Sequence, residues 1–309
     1  MKDREHFLEP EVRDGVPVSA ELKAIWKVLM DILEVFIQVC EKHELNYAMD
    51  GGSLLGAIRH HGFIPWDDDI DVQMPRKDYD RLLKLLPSEL PEGLYLQTFE
   101  TEPESWLAHA RLMNVNTAAI EPRYITGRCR VAMGLHIDIA PIDGMPSSER
   151  SRKRMVRVSK FWLGVARNGF SRNITTFAER VRHWVGRFLF MIIGRHRLFN
   201  LRDGVFRKVD FEETGIGATM PANHFFLSHS WRKREWFDKY ISVPFEYLTV
   251  KVPCGYEGQL VQQYGENWRI PSHHCAFSHF EMQTNAAKSY KEVLVEHYGY
   301  DPRWLDNLP

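Results

Sequence analysis

Apolar residues recur at three- and four-residue spacing through Leu22, Ile25, Trp26, Leu29, Ile32, Leu33, Phe36 and Cys40, which predicts a long amphipathic helix from residue 19 to about 44. Ser19 suits the N-cap and Glu21 complements the dipole in the first turn. A short strand over 46–49 and a short helix over 53–60 follow. Pro75 then opens a helix carried by Tyr79, Leu82, Leu83 and Leu86 to a stop at Pro87. Alternating or apolar runs bounded by Pro, Gly or Asn predict strands over 94–98, 108–115, 117–120 and 134–141, and a further strand over 241–253. A short helix over 258–264 ends at Gly265, and a terminal helix is expected over 286–298. Strands and helices are interspersed, so the fold class is α/β (α+β): a mixed central sheet with helices packed against it.

One stretch departs from this patterning. Four aspartates fall within five residues, Asp67, Asp68, Asp69 and Asp71, and the last two alternate with Ile70 and Val72. Period-two alternation sends Asp69 and Asp71 to one face and the apolar pair into the core. Two carboxylates a strand step apart repel unless a cation lies between them, which suits Mg²⁺ (or Mn²⁺) and its hard oxygen ligands. Phe63-Ile64-Pro65-Trp66 leads directly into the acids, so a freely solvated acidic loop is a poor account. Asp67, Asp68 and Trp66 are expected to support the site from the loop. Ahead of them Gly51, Gly52 and Ser53 form a turn opening a helix, where bare backbone amides favour an anion such as phosphate. Asp138 stands alone among apolar neighbours in the strand after Gly134, a costly place for a charge unless it is paired or metal-bound, and so is expected to be the third catalytic carboxylate. Arg59 and Arg111 are candidates for donor phosphate contact, with a structural salt bridge as the competing role for each.

At 309 residues, 44% hydrophobic and 26% charged, the chain has the composition of a soluble globular protein, and its formal charge of -1 points to neither nucleic acid nor membrane. The mean conceals an asymmetry. From Arg150 to Lys208 sixteen Lys or Arg stand against Glu179 and Asp203. Two amphipathic helical patterns run through this block, one with Met155, Val158, Trp162 and Val165, the other with Val181, Trp184, Val185, Phe188, Leu189, Ile192 and Ile193. The simplest expectation packs these apolar faces away and leaves the arginines solvated. The one-sided charge adds an expectation of peripheral contact with an anionic membrane surface. No apolar run reaches the length of a membrane span, and the N-terminal residues lack the apolar region of a secretory signal. Four scattered cysteines without a CxxC pair fit a reduced, cytoplasmic protein, peripheral at the inner membrane face if it binds one.

Other chemistries find little support. His273, His274 and Cys275 with Cys254 upstream match none of the usual structural zinc spacings. There is no P-loop, and Gly215-Ile216-Gly217 lacks the rest of a dinucleotide fingerprint.

A glycine turn, an apolar-interleaved pair of acids and a later carboxylate on a strand form the layout of the nucleotidyltransferase fold. More narrowly, GGSLLGAIRHHGFIPWDDDIDVQMPRKDYDRL from Gly51, GLHIDIAPIDG from Gly134 and YGENWRIP from Tyr264 resemble the LicD family of phosphocholine transferases, to which the fukutin-related proteins are similar. The resemblance implies a nucleotidyltransferase-like core over 1–145, a basic helical insertion over 146–215 and a C-terminal part over 216–309 completing the catalytic domain. It implies that Gly51, Gly52 and Ser53 cradle the donor phosphates, that Asp69 and Asp71 bind the metal, and that Asp138 is its third ligand or the base for the attacking hydroxyl. The implied reaction moves phosphocholine from CDP-choline, or another group from a related CDP-alcohol, to a hydroxyl of a cell-surface glycan or its lipid-linked precursor, in lipopolysaccharide or teichoic acid biosynthesis. Trp66, Tyr124 and Trp268 are available as an aromatic cage for choline. The competing expectations are a DxD-type glycosyltransferase with a nucleotide-sugar donor, or a non-catalytic glycan- or membrane-binding protein.

Overall fold

In the computed structural model of this chain, which describes residues 4–105, 107–125, 131–170, 176–219, 231–271 and 282–309, a short antiparallel hairpin precedes the long predicted helix. The hairpin is β1 (Glu11–Arg13) and β2 (Val16–Val18), and the helix is α1 (Ala20–Lys42). Ser19 caps α1, its side chain accepting from the Leu22 N–H at 3.2 Å. Trp26, Leu29, Leu33, Phe36 and Cys40 lie on its buried stripe, as the spacing predicts. β3 (Ala48–Met49), α2 (Gly51–Arg59), β4 (Asp71–Pro75) and α3 (Arg76–Leu85) follow, then β5 (Leu94–Gln97), β6 (Ala110–Asn114), β7 (Ala118–Ile120) and β8 (Leu135–Gly144).

The chain divides into two compact units, the first made of Met1–Ser105, His109–Pro141 and Trp236–Pro309, the second of Trp106–Ala108 and Ile142–Glu235. In the first unit the sheet order is β3-β4-β8-β6-β5, a mixed sheet with a parallel pair. β3 pairs antiparallel with β4, placing Met49 opposite Val72, and β6 pairs antiparallel with β8, placing Arg111 opposite Asp138. The Asp138 N–H donates to the Ile70 carbonyl at 2.9 Å, which brings the later carboxylate beside the acidic run. Ile70, Val72, Ile137 and Ile139 enter the main core with the α1 stripe.

The second unit holds the basic block: α4 (Glu149–Phe170), α5 (Phe177–Ile193), α6 (Arg195–Asp203) and α7 (Phe211–Thr214), then β9 (Ile216–Thr219) and β10 (Trp231–Lys233). Within it β9 pairs with β10 on one side and with Ile142–Gly144 at the end of β8 on the other. Val165 of α4 and Leu198 of α6 are buried together, with Trp162, Leu189, Phe190 and Ile193 packed around them. The expectation that the apolar faces are packed away holds for that face and for Met155 of α4, buried with Met145 and Phe206. Val181, Trp184, Val185, Phe188, Met191 and Ile192 of α5 are exposed, because they lie on the side of the helix away from α4 and α6.

The first unit resumes with β11 (Tyr240–Phe245), β12 (Leu248–Pro253), α8 (Tyr256–Tyr264), β13 (Gln283–Asn285) and α9 (Tyr290–Tyr298). Here the expected single strand over 241–253 is an antiparallel hairpin with Phe245 opposite Leu248. Its turn carries no Asn-Gly signal, and Glu246 adopts φ 52°. A tertiary contact supports it: the fully buried Glu246 carboxylate receives Arg13 Nη1 at 2.7 Å and the Phe63 N–H at 3.0 Å. That contact also fixes the chain just before the aspartates. The terminal helix begins at Tyr290 rather than 286 because Ser289 and Glu292 form a reciprocal capping box.

Candidate active site

The helix α2 begins two residues earlier than its apolar spacing suggests, so Gly51 and Gly52 form its first turn. Asp50 is the N-cap: its Oδ1 accepts from the Gly51 N–H at 2.8 Å, and its own N–H donates to the Asp71 carbonyl at 2.9 Å. The acids come so close to this turn that only glycine fits. A Cβ on Gly52 would stand 2.5 Å from Asp67 Oδ2, and one on Gly51, at φ +52°, would stand 3.1 Å from Asp71 Oδ2. Ser53 is buried, and its Oγ accepts from the Asp71 N–H at 2.9 Å, so the hydroxyl anchors the start of β4. Trp26 Nε1 donates to the Asp67 carbonyl at 2.7 Å, tying the acidic loop to α1.

Asp69 and Asp71 flank the fully buried Ile70 and are themselves half-buried, as period-two alternation requires. Burial, followed by the charges of Asp69, Asp138, Asp50 and Asp67, pushes the Asp71 carboxyl well above the usual range. Burial and then Asp69, through its charge and a hydrogen bond, do the same to Asp67. Asp68 and Trp66 lie half-buried in the same loop, Trp66 against the main core. These carboxylates are held closer together than their charges favour.

Asp138 has the opposite environment. Burial pushes its carboxyl up, but His109 and Arg111 outweigh that effect and hold it well below the usual range. Arg111 Nε donates to Asp138 Oδ1 at 3.0 Å, with His109 Nε2 at 3.3 Å and His136 Nε2 at 3.7 Å from the same oxygen. All three contacts fall on Oδ1. Arg111 is buried and also pairs with Glu121, so its guanidinium joins two carboxylates. The structure therefore gives Arg111 the salt-bridge role that competed with phosphate contact. His136, buried and facing Arg111, is lowered to about 4 and is neutral at physiological pH. Neither histidine stands out by periodicity, though His136 sits on β8 with Asp138 and His109 immediately precedes β6, which carries Arg111.

Arg59 is not brought to the acids. It lies at the far end of α2, about 12 Å along the axis from Gly51, where Nη1 donates to the Trp268 carbonyl at 2.8 Å. The proposed aromatic cage is also divided. Trp66 and Trp268 belong to the main core, Arg269 stacks over Trp268 at 4.2 Å, and Tyr124 belongs to a second cluster and donates to the Ser105 carbonyl at 2.8 Å. His273, His274 and Cys275 lie outside the described residues. Among the described residues, no three of His, Cys, Asp and Glu are gathered as a metal-binding set.

The side of the site formed by α8 is the part that motif reading missed. Gln259 Nε2 and Gln263 Nε2 donate to Asp50 Oδ1 at 2.8 and 3.3 Å, and the Tyr264 hydroxyl is pushed up by burial and then by Asp67, Asp50, Asp71 and Asp69. The available signal was the YGENWRIP block, which begins at Tyr264.

Residues 44–143 match the family described as LicD/FKTN/FKRP, nucleotidyltransferase domain. That span holds Gly51, Gly52, the aspartate run, Arg111 and Asp138. Over 257 residues, 79% of this chain and 90% of the relative, the chain is 28% identical to the lipopolysaccharide cholinephosphotransferase LicD of Haemophilus influenzae. Over 63 residues, 20% of this chain and 13% of theirs, it is 35% identical to the ribitol 5-phosphate transferases FKRP of Mus musculus and Homo sapiens.

Proposed function

Because residues 44–143 are a LicD/FKTN/FKRP nucleotidyltransferase domain in a chain distantly homologous to LicD of Haemophilus influenzae, we propose that the protein transfers a phospho-alcohol group from a nucleotide-activated donor to a glycan hydroxyl. Phosphocholine from CDP-choline is the donor reading favoured by the relative with the longer match, and CDP-ribitol and CDP-glycerol belong in the same test. The acceptor is a hydroxyl of a cell-surface glycan such as lipopolysaccharide, or of its lipid-linked precursor. The acceptor oxygen attacks the phosphorus bearing the alcohol, a new P–O bond forms, the bond to CMP breaks, and CMP leaves with the diphosphate oxygen while the hydroxyl proton passes to solvent.

The observation that supports this reading most strongly is the clash of carboxylates at the N-terminus of α2. Asp67 and Asp71 are pushed up by burial and by neighbouring acids, a repulsion that a divalent cation relieves. Asp69 and Asp71 would hold Mg²⁺ or Mn²⁺, with Asp138 as the third carboxylate. Such an ion, when bound, neutralises charge developing on the transferred phosphoryl group. A carboxyl held well below the usual range is a weak base at neutral pH, so Asp138 serves better as a permanent negative charge than as a proton acceptor. Arg111 and His109 keep it ionised and oriented through Oδ1. The amides of Gly52 and Ser53, in a first turn that has no intrahelical acceptors for them, form the positive end of the helix dipole and suit a donor phosphate.

The purified chain, incubated with Mg²⁺, an acceptor glycan and a panel of CDP-choline, CDP-ribitol, CDP-glycerol and a UDP-sugar, should release CMP and give a glycan heavier by the phospho-alcohol. Release of UDP from the sugar donor with no CMP from any CDP-alcohol would establish the DxD glycosyltransferase reading instead.

A further inference from the structure

Among the described residues, the outward side of α5 has no packing partner within its own unit, yet it is entirely apolar along its centre. Val181, Trp184, Val185, Phe188, Met191 and Ile192 are 47, 71, 52, 57, 68 and 64% exposed. At 3.6 residues per turn they fall within about 120° of arc, one continuous stripe. The helix does not need this stripe to dock, since Leu189, Phe190 and Ile193 on another side already pack with Val165 and Leu198. Arg180 and Arg187, both exposed, line the edge of the stripe next to Trp184 and Met191. Exposed Lys153, Arg154, Arg157 and Lys160 on α4 give the same unit a further positive face.

We infer that α5 seats this stripe in the interface of an anionic lipid bilayer, lying in the membrane plane with its arginines at the phosphate level. Aromatic and aliphatic side chains on one face with arginine along the border match a helix that lies in the headgroup boundary. No helix among the described residues is long and apolar enough to cross a membrane, so α5 would lie on the bilayer rather than span it. A second copy of the chain is the less fitting occupant, because a two-fold contact through this stripe would bring two arginine-lined edges together. An anionic headgroup layer complements that charge. The inference is independent of the transfer reaction proposed above.

The test is cosedimentation of the full chain with vesicles of phosphatidylcholine alone and of phosphatidylcholine mixed with phosphatidylglycerol. Binding to the anionic vesicles should be at least about tenfold stronger at low salt and should weaken as salt screens the headgroups. The triple variant Trp184→Ser, Phe188→Ser, Ile192→Ser should lose about tenfold or more of this binding with an unchanged melting temperature, because the removed groups are already exposed. Arg180→Glu with Arg187→Glu should abolish the preference for anionic vesicles. Brominated lipid should quench part of the tryptophan fluorescence of the parent, a part absent from Trp184→Phe. Absence of binding at low salt, equal binding to both vesicle types, or triple-variant binding equal to that of the parent would each overturn the inference. So would a dimer of the parent that the triple variant dissolves while vesicles bind neither.

Discussion

Around Asp71 the first unit holds carboxylates half-buried against one another, whereas along α5 the second unit leaves Trp184 71% and Phe188 57% exposed. Both arrangements run against the usual sorting of charge to water and hydrocarbon to the core. They differ in what maintains them. The acids are held by a dense local frame: Asp50 and Ser53 bond to the Asp71 backbone, Trp26 bonds to the Asp67 carbonyl, and two glycines leave room for the side chains. Among the described residues, nothing comparable encloses the α5 stripe. A repulsion built into a rigid frame calls for a small, highly charged ligand that enters a fixed space. An open apolar stripe calls for an extended, deformable surface.

Four measurements bear on this contrast. The largest effect is expected at the acids, where Asp69→Asn and Asp71→Asn should each lower CMP release by about a thousandfold. In the metal-free protein Asp71→Asn should at the same time raise Tm by about 2 °C, because it removes a charge that burial and its neighbours disfavour. Turnover at parental rates in both variants, or a destabilised metal-free Asp71→Asn, would remove the carboxylate frame from the contrast.

Gly52→Ala comes next. Its Cβ would press on Asp67 Oδ2, so activity should fall about a hundredfold and stability by about 1–3 kcal/mol, whereas alanine at Gly164 of α4, where an added Cβ would meet no described atom within 4 Å, should leave activity unchanged. Equal activity loss in both would mean that closeness to the acids does not set the requirement at Gly52.

The third measurement is the dependence of Tm on pH and Mg²⁺. Asp67 and Asp71 have folded pKa values raised above about 3.9, their usual value, so the stability linked to their protonation is present below that pH and is lost as pH rises through the raised folded values. Asp138 and His136 act in the opposite sense. The low carboxyl of Asp138 stabilises above the unfolded carboxylate pKa and loses that as pH falls through its folded value, and neutral His136 stabilises above about 6.5 and loses it as pH falls through about 4. Bound as proposed, Mg²⁺ would compete with protons for the acid cluster, so the rise in Tm on adding it should grow from acid to neutral pH and amount to a few degrees at pH 8. A rise that stays flat with pH would disconnect the cation from these carboxylates.

The smallest effect concerns α5 itself. Trp184→Ser and Phe188→Ser should each change the unfolding free energy by less than about 0.5 kcal/mol, since neither side chain is buried. Serine at the fully buried Leu198 beneath the other face of α5 should cost several times more.

Much of the first unit is legible in the order of its residues. Spacing placed α1 and its Ser19 cap, and alternation placed Ile70 and Val72 in the core with Asp69 and Asp71 beside them. These readings succeed because they rest on interactions between residues a few positions apart. The hairpin of β11 and β12 was misread as one strand because its turn is supported by Arg13, more than two hundred residues earlier in the chain. Gln259, Gln263 and Tyr264 were missed as neighbours of the acids for the same reason: only the packing of α8 brings them to Asp50 and Asp71.

The residue order alone thus specifies the groups proposed to carry the chemistry, a glycine turn followed by paired acids and a later carboxylate, because alternation and backbone freedom are local properties. Their electrostatic character is set by long-range pairing of strands. Arg111 meets Asp138 across β6 and β8, which holds that carboxyl low, while the acids around Asp71 raise one another. The same holds for the basic helices. Their amphipathic pattern is written in the sequence, but which apolar side is covered depends on where α4 and α6 pack, and that packing leaves the Trp184 face of α5 in solvent.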